Sequence, residues 1–262
     1  MAGEFSASWL ALREPADTDA RSRELLEPLH AGPGPLTVRD LGCGTGSLGR
    51  WLAPRLPGPQ HWVLHDSDPE LLERAAATMP DRAGDGAPVT VQTVRGDVTA
   101  LTAADLADTG LVACSALLDL LTGPEVEALA AACAATGTPA LCTLSVTGEV
   151  TFDPADELDD DVASWFNAHQ RREAGGRRLL GPDAPRVTAE AFRRAGARVT
   201  TRPSPWRLGP DRAELTGQWL RGWVGAAMDQ HPQLDLGPYL QRRLDALPAV
   251  QVGHVDLLAE FG

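Results

Sequence analysis

Short apolar runs alternate with amphipathic stretches along most of the chain, a pattern typical of a parallel α/β sheet. Apolar runs predict strands at residues 36–41, 62–66, 89–94, 111–115, 140–146, 197–201 and 250–258. Apolar residues at helical spacing predict helices at residues 48–56, 69–79, 124–135 and 187–195. The core of the protein is therefore expected to be a doubly wound, Rossmann-like sheet with helices on both faces.

Three segments lie outside this alternation. Residues 6–30 are predicted to be helical, with a break at Pro15 and an end before the Gly/Pro linker at 32–35. Residues 149–182 form an acidic and then arginine-rich insertion, and residues 211–247 are largely helical. We interpret residues 1–35 as an N-terminal helical lid and residues 36–262 as one domain whose two insertions, at 149–182 and 211–247, form a helical cap.

Composition narrows the class of protein. The formal net charge of −13 argues against a nucleic-acid partner, because such proteins usually carry a basic stripe. No apolar run approaches the roughly 18 residues that span a bilayer, and no signal peptide is recognisable. The four cysteines lack metal-ligand spacing, so we expect a cytoplasmic protein without a bound metal. Lysine and isoleucine are absent, which indicates GC-rich coding bias and weakens arginine as a functional signal.

The most informative motif follows the first predicted strand, where residues 40–46 read DLGCGTG. Glycines at alternate positions allow a tight turn and a close approach of the backbone to a ligand. The helix that follows offers unpaired N–H groups to an anionic group. Asp40, just before the turn, is placed to meet an ammonium group.

The same region contains GTGSLG at residues 44–49, and Asp66 lies 20 positions after Gly46. Both features also occur in nicotinamide dinucleotide folds. The longer DxGxGxG pattern, the acid before the loop, Gly96-Asp97 after the third strand, and the 35 residues before the first strand favour a different cofactor. A nicotinamide oxidoreductase remains an alternative.

The stretches 40–46, 65–72 (HDSDPELL), 96–97 and 111–121 (LVACSALLDLL) resemble the class I S-adenosylmethionine-dependent methyltransferase family. The resemblance implies a seven-stranded sheet whose last, antiparallel strand is 250–258, and S-adenosyl-L-methionine as cofactor. It also implies that the glycines line the methionine part, Asp66 holds the ribose, and Asp97 holds the adenine amino group. The predicted cofactor-binding set is Arg13, Asp40, Gly42, Cys43, Gly44, Gly46, Asp66, Ser67, Asp97, Val98, Cys114 and Ser115, the last two acting through their carbonyl groups.

Two of these acids have a structural alternative. Asp66 could cap the helix that begins near Pro69, and Asp97 could be an ordinary turn residue. Arg13 could pair with the carboxylate of the cofactor or of an acidic substrate, or it could be an exposed helix arginine.

Methyl transfer to a protonated acceptor is helped by a general base, for which His169 and Asp119 are the candidates. The alternatives are that His169 belongs to a solvated amphipathic helix with a core Trp/Phe pair, and that Asp119 is an exposed first-turn acid. Trp9, Trp165 and His169 are predicted substrate contacts. We expect a methyltransferase acting on a small molecule, in bacterial specialised metabolism. The competing interpretation is a protein that binds S-adenosylmethionine, as a cyclase or a regulator, without transferring the methyl group. The oligomeric state is left open.

Overall fold

The computed structural model describes residues 6–29 and 34–262. The strands are β1 (Leu36–Leu41), β2 (Gln60–Asp66), β3 (Val89–Arg95), β4 (Leu111–Ser115), β5 (Ala140–Asp153), β6 (Glu173–Ala174), β7 (Arg177–Arg178), β8 (Arg198–Pro203), β9 (Trp206–Leu208) and β10 (Ala249–Glu260). The α-helices are α1 (Ala7–Ala20), α2 (Ser47–Leu52), α3 (Pro69–Thr78), α4 (Gly123–Thr136), α5 (Asp159–Gln170), α6 (Ala184–Arg194), α7 (Ala213–Gln230) and α8 (Gly237–Ala246).

Seven strands form the central sheet in the order β3-β2-β1-β4-β5-β10-β8. The first five are parallel to their neighbours, whereas β10 is antiparallel to both β5 and β8. The short strand β9 adds a further pair to β10. The predicted doubly wound sheet with an antiparallel last strand is confirmed. Its strand order reverses beside β1, and ligands of such sheets bind at the carboxyl ends of the strands at that point.

Helices cover both faces of the sheet. On one face, apolar side chains of α2 and α3 pack against β1 and β2, with Trp51, Trp62 and Leu64 almost fully buried. On the other face, α4 and α6 pack against β4 and β5, with Val126 and Phe192 fully buried. The carboxyl ends of β1 and β4 lie at the same edge of the sheet, between the two helical layers.

A second apolar cluster lies beyond that edge, and it joins α5, α7 and α8. The strands β5 and β10 extend past the sheet to reach this cluster. Residues 149–153, which the sequence placed in a helical insertion, belong to β5. Val150 and Phe152 pack against the apolar clusters, and the polar residues Glu149 and Thr151 alternate with them along the chain. This alternation of apolar and polar residues is the two-residue period of a strand.

The N-terminal helix α1 is continuous from Ala7 to Ala20, so the predicted break at Pro15 is wrong. Proline removes one backbone hydrogen bond from a helix interior. The side chain of Ser6 caps the start of the helix by accepting a hydrogen bond from the N–H of Trp9, and the Arg13–Asp17 ion pair spans Pro15. The predicted linker lies partly at residues 30–33, outside the described residues.

In the two described ranges, no helix is both long enough and apolar enough to cross a membrane.

Candidate functional site

The loop between β1 and α2 is a left-handed turn built on three glycines. Gly42, Gly44 and Gly46 have φ angles of +63°, +54° and +84°, values that side chains with a Cβ rarely adopt. A Cβ on Gly42 would lie 3.0 Å from Leu117, and one on Gly44 would lie 3.3 Å from Leu10 of α1. The loop is thus covered by α1 on one side and by the segment after β4 on another.

Asp66, at the end of β2, faces this loop. Its Oδ2 accepts a hydrogen bond from the backbone N–H of Gly44 at 2.8 Å, and its Oδ1 accepts one from Asp68 at 3.0 Å. The cap of α3 is Asp68, whose carboxylate accepts from the N–H groups of Glu70 and Leu71. The role of helix cap, considered for Asp66, therefore belongs to Asp68.

Asp40 and Arg21 lie together beneath the loop, almost fully buried. Both carboxylate oxygens of Asp40, and the Nε and Nη1 of Arg21, are buried and have no hydrogen-bond partner among residues 6–29 and 34–262. The Nη2 of Arg21 donates to the hydroxyls of Ser47 at 3.2 Å and Ser115 at 3.1 Å, and its guanidinium lies 5.7 Å from the ring centre of Trp51. Burial raises the pKa of Asp40 to about 7, and the nearby Arg21 opposes this shift.

Buried polar atoms without hydrogen bonds are costly unless a ligand or water completes them. The arrangement offers acceptors from Asp40 and donors from Arg21, so it fits a group that carries both an ammonium and a carboxylate. That is the chemistry of the methionine end of S-adenosylmethionine, and the donor set therefore fits this cofactor.

Arg13, the arginine singled out from the sequence, makes different contacts. Its guanidinium forms an ion pair with Asp17 at 3.0 Å and lies 4.8 Å from the ring centre of Trp206. Sequence reasoning missed Arg21 because its partners Ser47 and Ser115 lie 26 and 94 positions away. Nothing in the neighbouring sequence distinguishes Arg21 from the many other arginines of this chain.

The adenine side of the predicted site is formed after β3. Asp97 caps a short 3₁₀ turn (Val98–Ala100), and its Oδ1 accepts from the N–H of Thr99 at 2.9 Å and from its hydroxyl at 2.8 Å. These two bonds hold the pKa of Asp97 below its usual value. The turn role considered for Asp97 is thus observed. Ser67 is exposed and Val98 is partly buried, and the cofactor contacts of all three remain predictions.

The end of β4 lies beside the glycine loop. Cys114 is buried, and its carbonyl accepts a hydrogen bond from the hydroxyl of Thr143 at 3.4 Å. The chain then turns sharply at Ala116, which has a φ of +51°. Cys43 is also buried, and burial raises the pKa of its thiol, so neither cysteine is a reactive thiolate.

Asp119 lies in a 3₁₀ turn (Leu118–Leu120) just beyond β4 and is partly buried. Burial raises the pKa of Asp119 to about 6, and the positive charges of Arg13 and Arg172 oppose this. Arg172 follows the end of α5, and His169 lies in the last turn of that helix. The structure therefore brings α1, the turn after β4 and the end of α5 together around Asp119.

The predicted aromatic substrate contacts are both engaged in apolar packing. Trp9 packs against the cluster that contains Trp206. Trp165 lies 5.3 Å from the ring of His231, at the junction of α5 and α7. Their roles toward a substrate remain predictions.

Residues 38–139 match the model of the methyltransferase domain family. No curated protein matches the sequence. Among solved structures, a methyltransferase from Geobacter sulfurreducens in complex with S-adenosyl-L-homocysteine is 17% identical with a TM-score of 0.48, covering 97% of this chain and 98% of that one. The YcgJ protein of Bacillus subtilis is 13% identical with a TM-score of 0.47, covering 91% and 97%.

The family match covers β1 to the start of β5, the stretch that contains the glycine loop, Asp66 and Asp97. Over residues 38–139 the chain matches the methyltransferase domain family, in agreement with the class I S-adenosylmethionine-dependent methyltransferase domain and the S-adenosyl-L-methionine cofactor expected from the sequence. The sequence-based recognition of this family is confirmed, and the nicotinamide alternative is set aside.

Proposed function

We propose that the enzyme methylates a small molecule and that Asp119 removes the proton from the attacking atom of that acceptor. The observation that carries the proposal is the position of Asp119. It is a partly buried carboxylate with a pKa of about 6 in the turn after β4, next to Leu117, which covers Gly42. A base with a pKa near the working pH combines a large ionised fraction with a useful driving force for proton transfer.

The cofactor would be held at three points. Asp40 would accept from the methionyl ammonium, and Arg21 would donate to the carboxylate through its unpartnered Nε and Nη1. Asp66 would accept from the ribose hydroxyls while keeping its backbone bonds to the loop. When bound, the cofactor supplies an electrophilic methyl group on sulfur, with a neutral thioether as leaving group. The protein mainly aligns the acceptor, a contribution that can reach about 7–11 kcal/mol.

The charge of the chain supports a small acceptor over a nucleic acid. The chain has a net charge of −13, so phosphate backbones would be repelled over most of its surface. Specialised metabolism in bacteria remains our expectation for the setting.

The test is release of S-adenosylhomocysteine from S-adenosylmethionine in the presence of separate pools of phenols, amines and carboxylic acids, with RNA, DNA and peptide pools in parallel. We expect turnover with a small-molecule pool and its loss in Asp119→Asn. Turnover with a macromolecular pool alone would overturn the small-acceptor proposal. Binding of S-adenosylmethionine with release of no S-adenosylhomocysteine from any pool would favour an enzyme or regulator that retains the methyl group.

A further inference from the structure

Asp256 is a fully buried carboxylate on β10 that joins three separate segments of the chain. Its Oδ1 accepts hydrogen bonds from the backbone N–H of Leu144 at 2.7 Å and from the hydroxyl of Ser204 at 2.6 Å. Its Oδ2 accepts one from the backbone N–H of Ser22 at 2.8 Å. A buried carboxylate needs such donors, because without them its desolvation would strongly favour the neutral form.

The two oxygens serve different parts of the molecule. Oδ1 holds the sheet, where Leu144 has a φ of +55°, a conformation costly for a residue with a branched side chain. Oδ2 holds the chain where it leaves α1. Arg21 ends that helix with φ −58° and ψ 132°, and Ser22 is the next residue.

The tether on Ser22 therefore fixes the backbone from which the Arg21 side chain starts. Adjacent Cα atoms are only about 3.8 Å apart, so a shift at Ser22 moves Arg21 as well. The guanidinium has little room to adjust, since it is buried and its Nη2 is held by Ser47 and Ser115. Asp256 also lies close enough for its negative charge to favour the charged form of Arg21.

We propose that Asp256 is a positioning residue for cofactor binding, which acts through Ser22 to hold Arg21 against the carboxylate of the methionine end. This inference rests on the role proposed above for Arg21. It links the last strand of the sheet to the cofactor site through a segment that precedes the first strand.

Asp256→Asn is a selective test. The asparagine oxygen can still accept from Leu144 and Ser204, whereas its NH₂ would face the N–H of Ser22 and break that tether. We expect the affinity for S-adenosylhomocysteine, measured by calorimetry, to fall about tenfold, as for loss of a charged hydrogen bond. Affinity for 5′-methylthioadenosine, which lacks the amino-acid part, should change by less than about twofold.

Two further variants guard against a general effect on folding. Ser22→Pro removes the same tether from the other side, because proline has no N–H and Arg21 already has the extended conformation favoured before it. It should reproduce the selective loss. Ser204→Ala removes one bond to Oδ1 and keeps the tether, so it should leave both affinities within about twofold.

A double-mutant cycle decides whether the effect passes through Arg21. Arg21→Met should weaken S-adenosylhomocysteine binding, with Arg23→Met as a control at a neighbouring exposed arginine. Adding Asp256→Asn to Arg21→Met should then have no further effect. A full further loss in the double variant, or an equal loss for both ligands in Asp256→Asn, would overturn the inference. Unchanged binding in Arg21→Met would instead overturn the role proposed for Arg21.

Discussion

Burial raises the pKa of two carboxyl groups around the cofactor site, and the two groups have different surroundings. Asp40 has a pKa of about 7 and lies beside Arg21, in a pocket of charged atoms that fits a zwitterion. Asp119 has a pKa of about 6 and lies in the turn after β4, with Arg13 and Arg172 near enough to lower it. An ammonium bound at Asp40 would favour its ionised form, whereas Asp119, as the proposed base, would gain and lose a proton in each cycle.

The pH dependence of turnover follows from Asp119. If it is the base, kcat/KM should rise with pH up to about 6, where the carboxyl ionises, and level off above that value. Asp119→Asn should lower kcat by about 100-fold or more and abolish this rise, since general bases contribute about 10²–10⁴-fold. A variant that keeps the acid limb near pH 6 would show that another group, such as His169, is the base.

Stability should respond in the opposite direction. A carboxyl group whose pKa is higher in the folded state than in the unfolded state makes the free energy of unfolding fall as pH rises between those two values. For Asp119 the window lies between about pH 4, its unfolded value, and about pH 6. Asp119→Asn should therefore be more stable than the parent protein above pH 6 and differ least below pH 4, as measured by denaturant titration.

At the scale of elements, the sheet was predictable because its strands carry a local signal. β1 and β4 were predicted to the residue, since apolar runs end at the glycine loop and at the polar turn after Ser115. The extension of β5 was missed because the alternation of apolar and polar residues at 149–153 is short, and these residues lie beyond the main sheet. Helix α1 continues through Pro15, and its Asp17 accepts a hydrogen bond from Trp206, a partner 189 positions away that no local pattern indicates.

The candidate site divides in the same way. The loop glycines, Asp66 and Asp97 belong to local motifs, and each was found from its neighbours in sequence. Arg21 and Asp256 were not found, because their meaning comes from partners in distant segments. From the sequence alone, these two residues cannot be distinguished from other charged residues, because only the folded sheet and α1 bring their partners together.

The cap is held by a buried ion pair that offers a direct test. Arg243 of α8 pairs with Asp159 of α5, which also accepts a hydrogen bond from Tyr239, and all three side chains are buried. Removing one partner leaves an uncompensated buried charge, which costs about 3–5 kcal/mol. Arg243→Ala should therefore lower the melting temperature by roughly 6–20 °C.

Arg242 provides the matched control, since it lies next to Arg243 on α8 and pairs with Asp156 at an exposed position. Arg242→Ala should cost at most about 1 kcal/mol. Equal melting temperatures for the two variants would mean that the buried pair contributes no more than a surface contact.

At the scale of the whole molecule, α1 connects the parts that must act together. Its Glu14 forms a double hydrogen-bonded ion pair with Arg50 of α2, with distances of 2.8 and 2.5 Å. Its Asp17 accepts a hydrogen bond from Trp206 of β9 at 2.9 Å, and Leu10 lies over Gly44. The helix thus contacts the glycine loop, the first helix of the sheet and the strand beside β10, while Arg21 follows at its end.

The prediction that the N-terminal segment closes over the cofactor can be tested through these contacts. Leu10 lies against Gly44 of the glycine loop, and Arg21 donates to Ser47 at the start of α2, so we expect bound cofactor to stabilise α1 against opening. In hydrogen exchange, amides of residues 7–20 should exchange faster in the free protein than with S-adenosylhomocysteine. Glu14→Gln, which breaks the partly exposed pair with Arg50, should speed exchange in the free protein further and leave β1 and β4 unaffected. If α1 is equally protected with and without S-adenosylhomocysteine, it is a fixed part of the fold and the lid prediction is wrong.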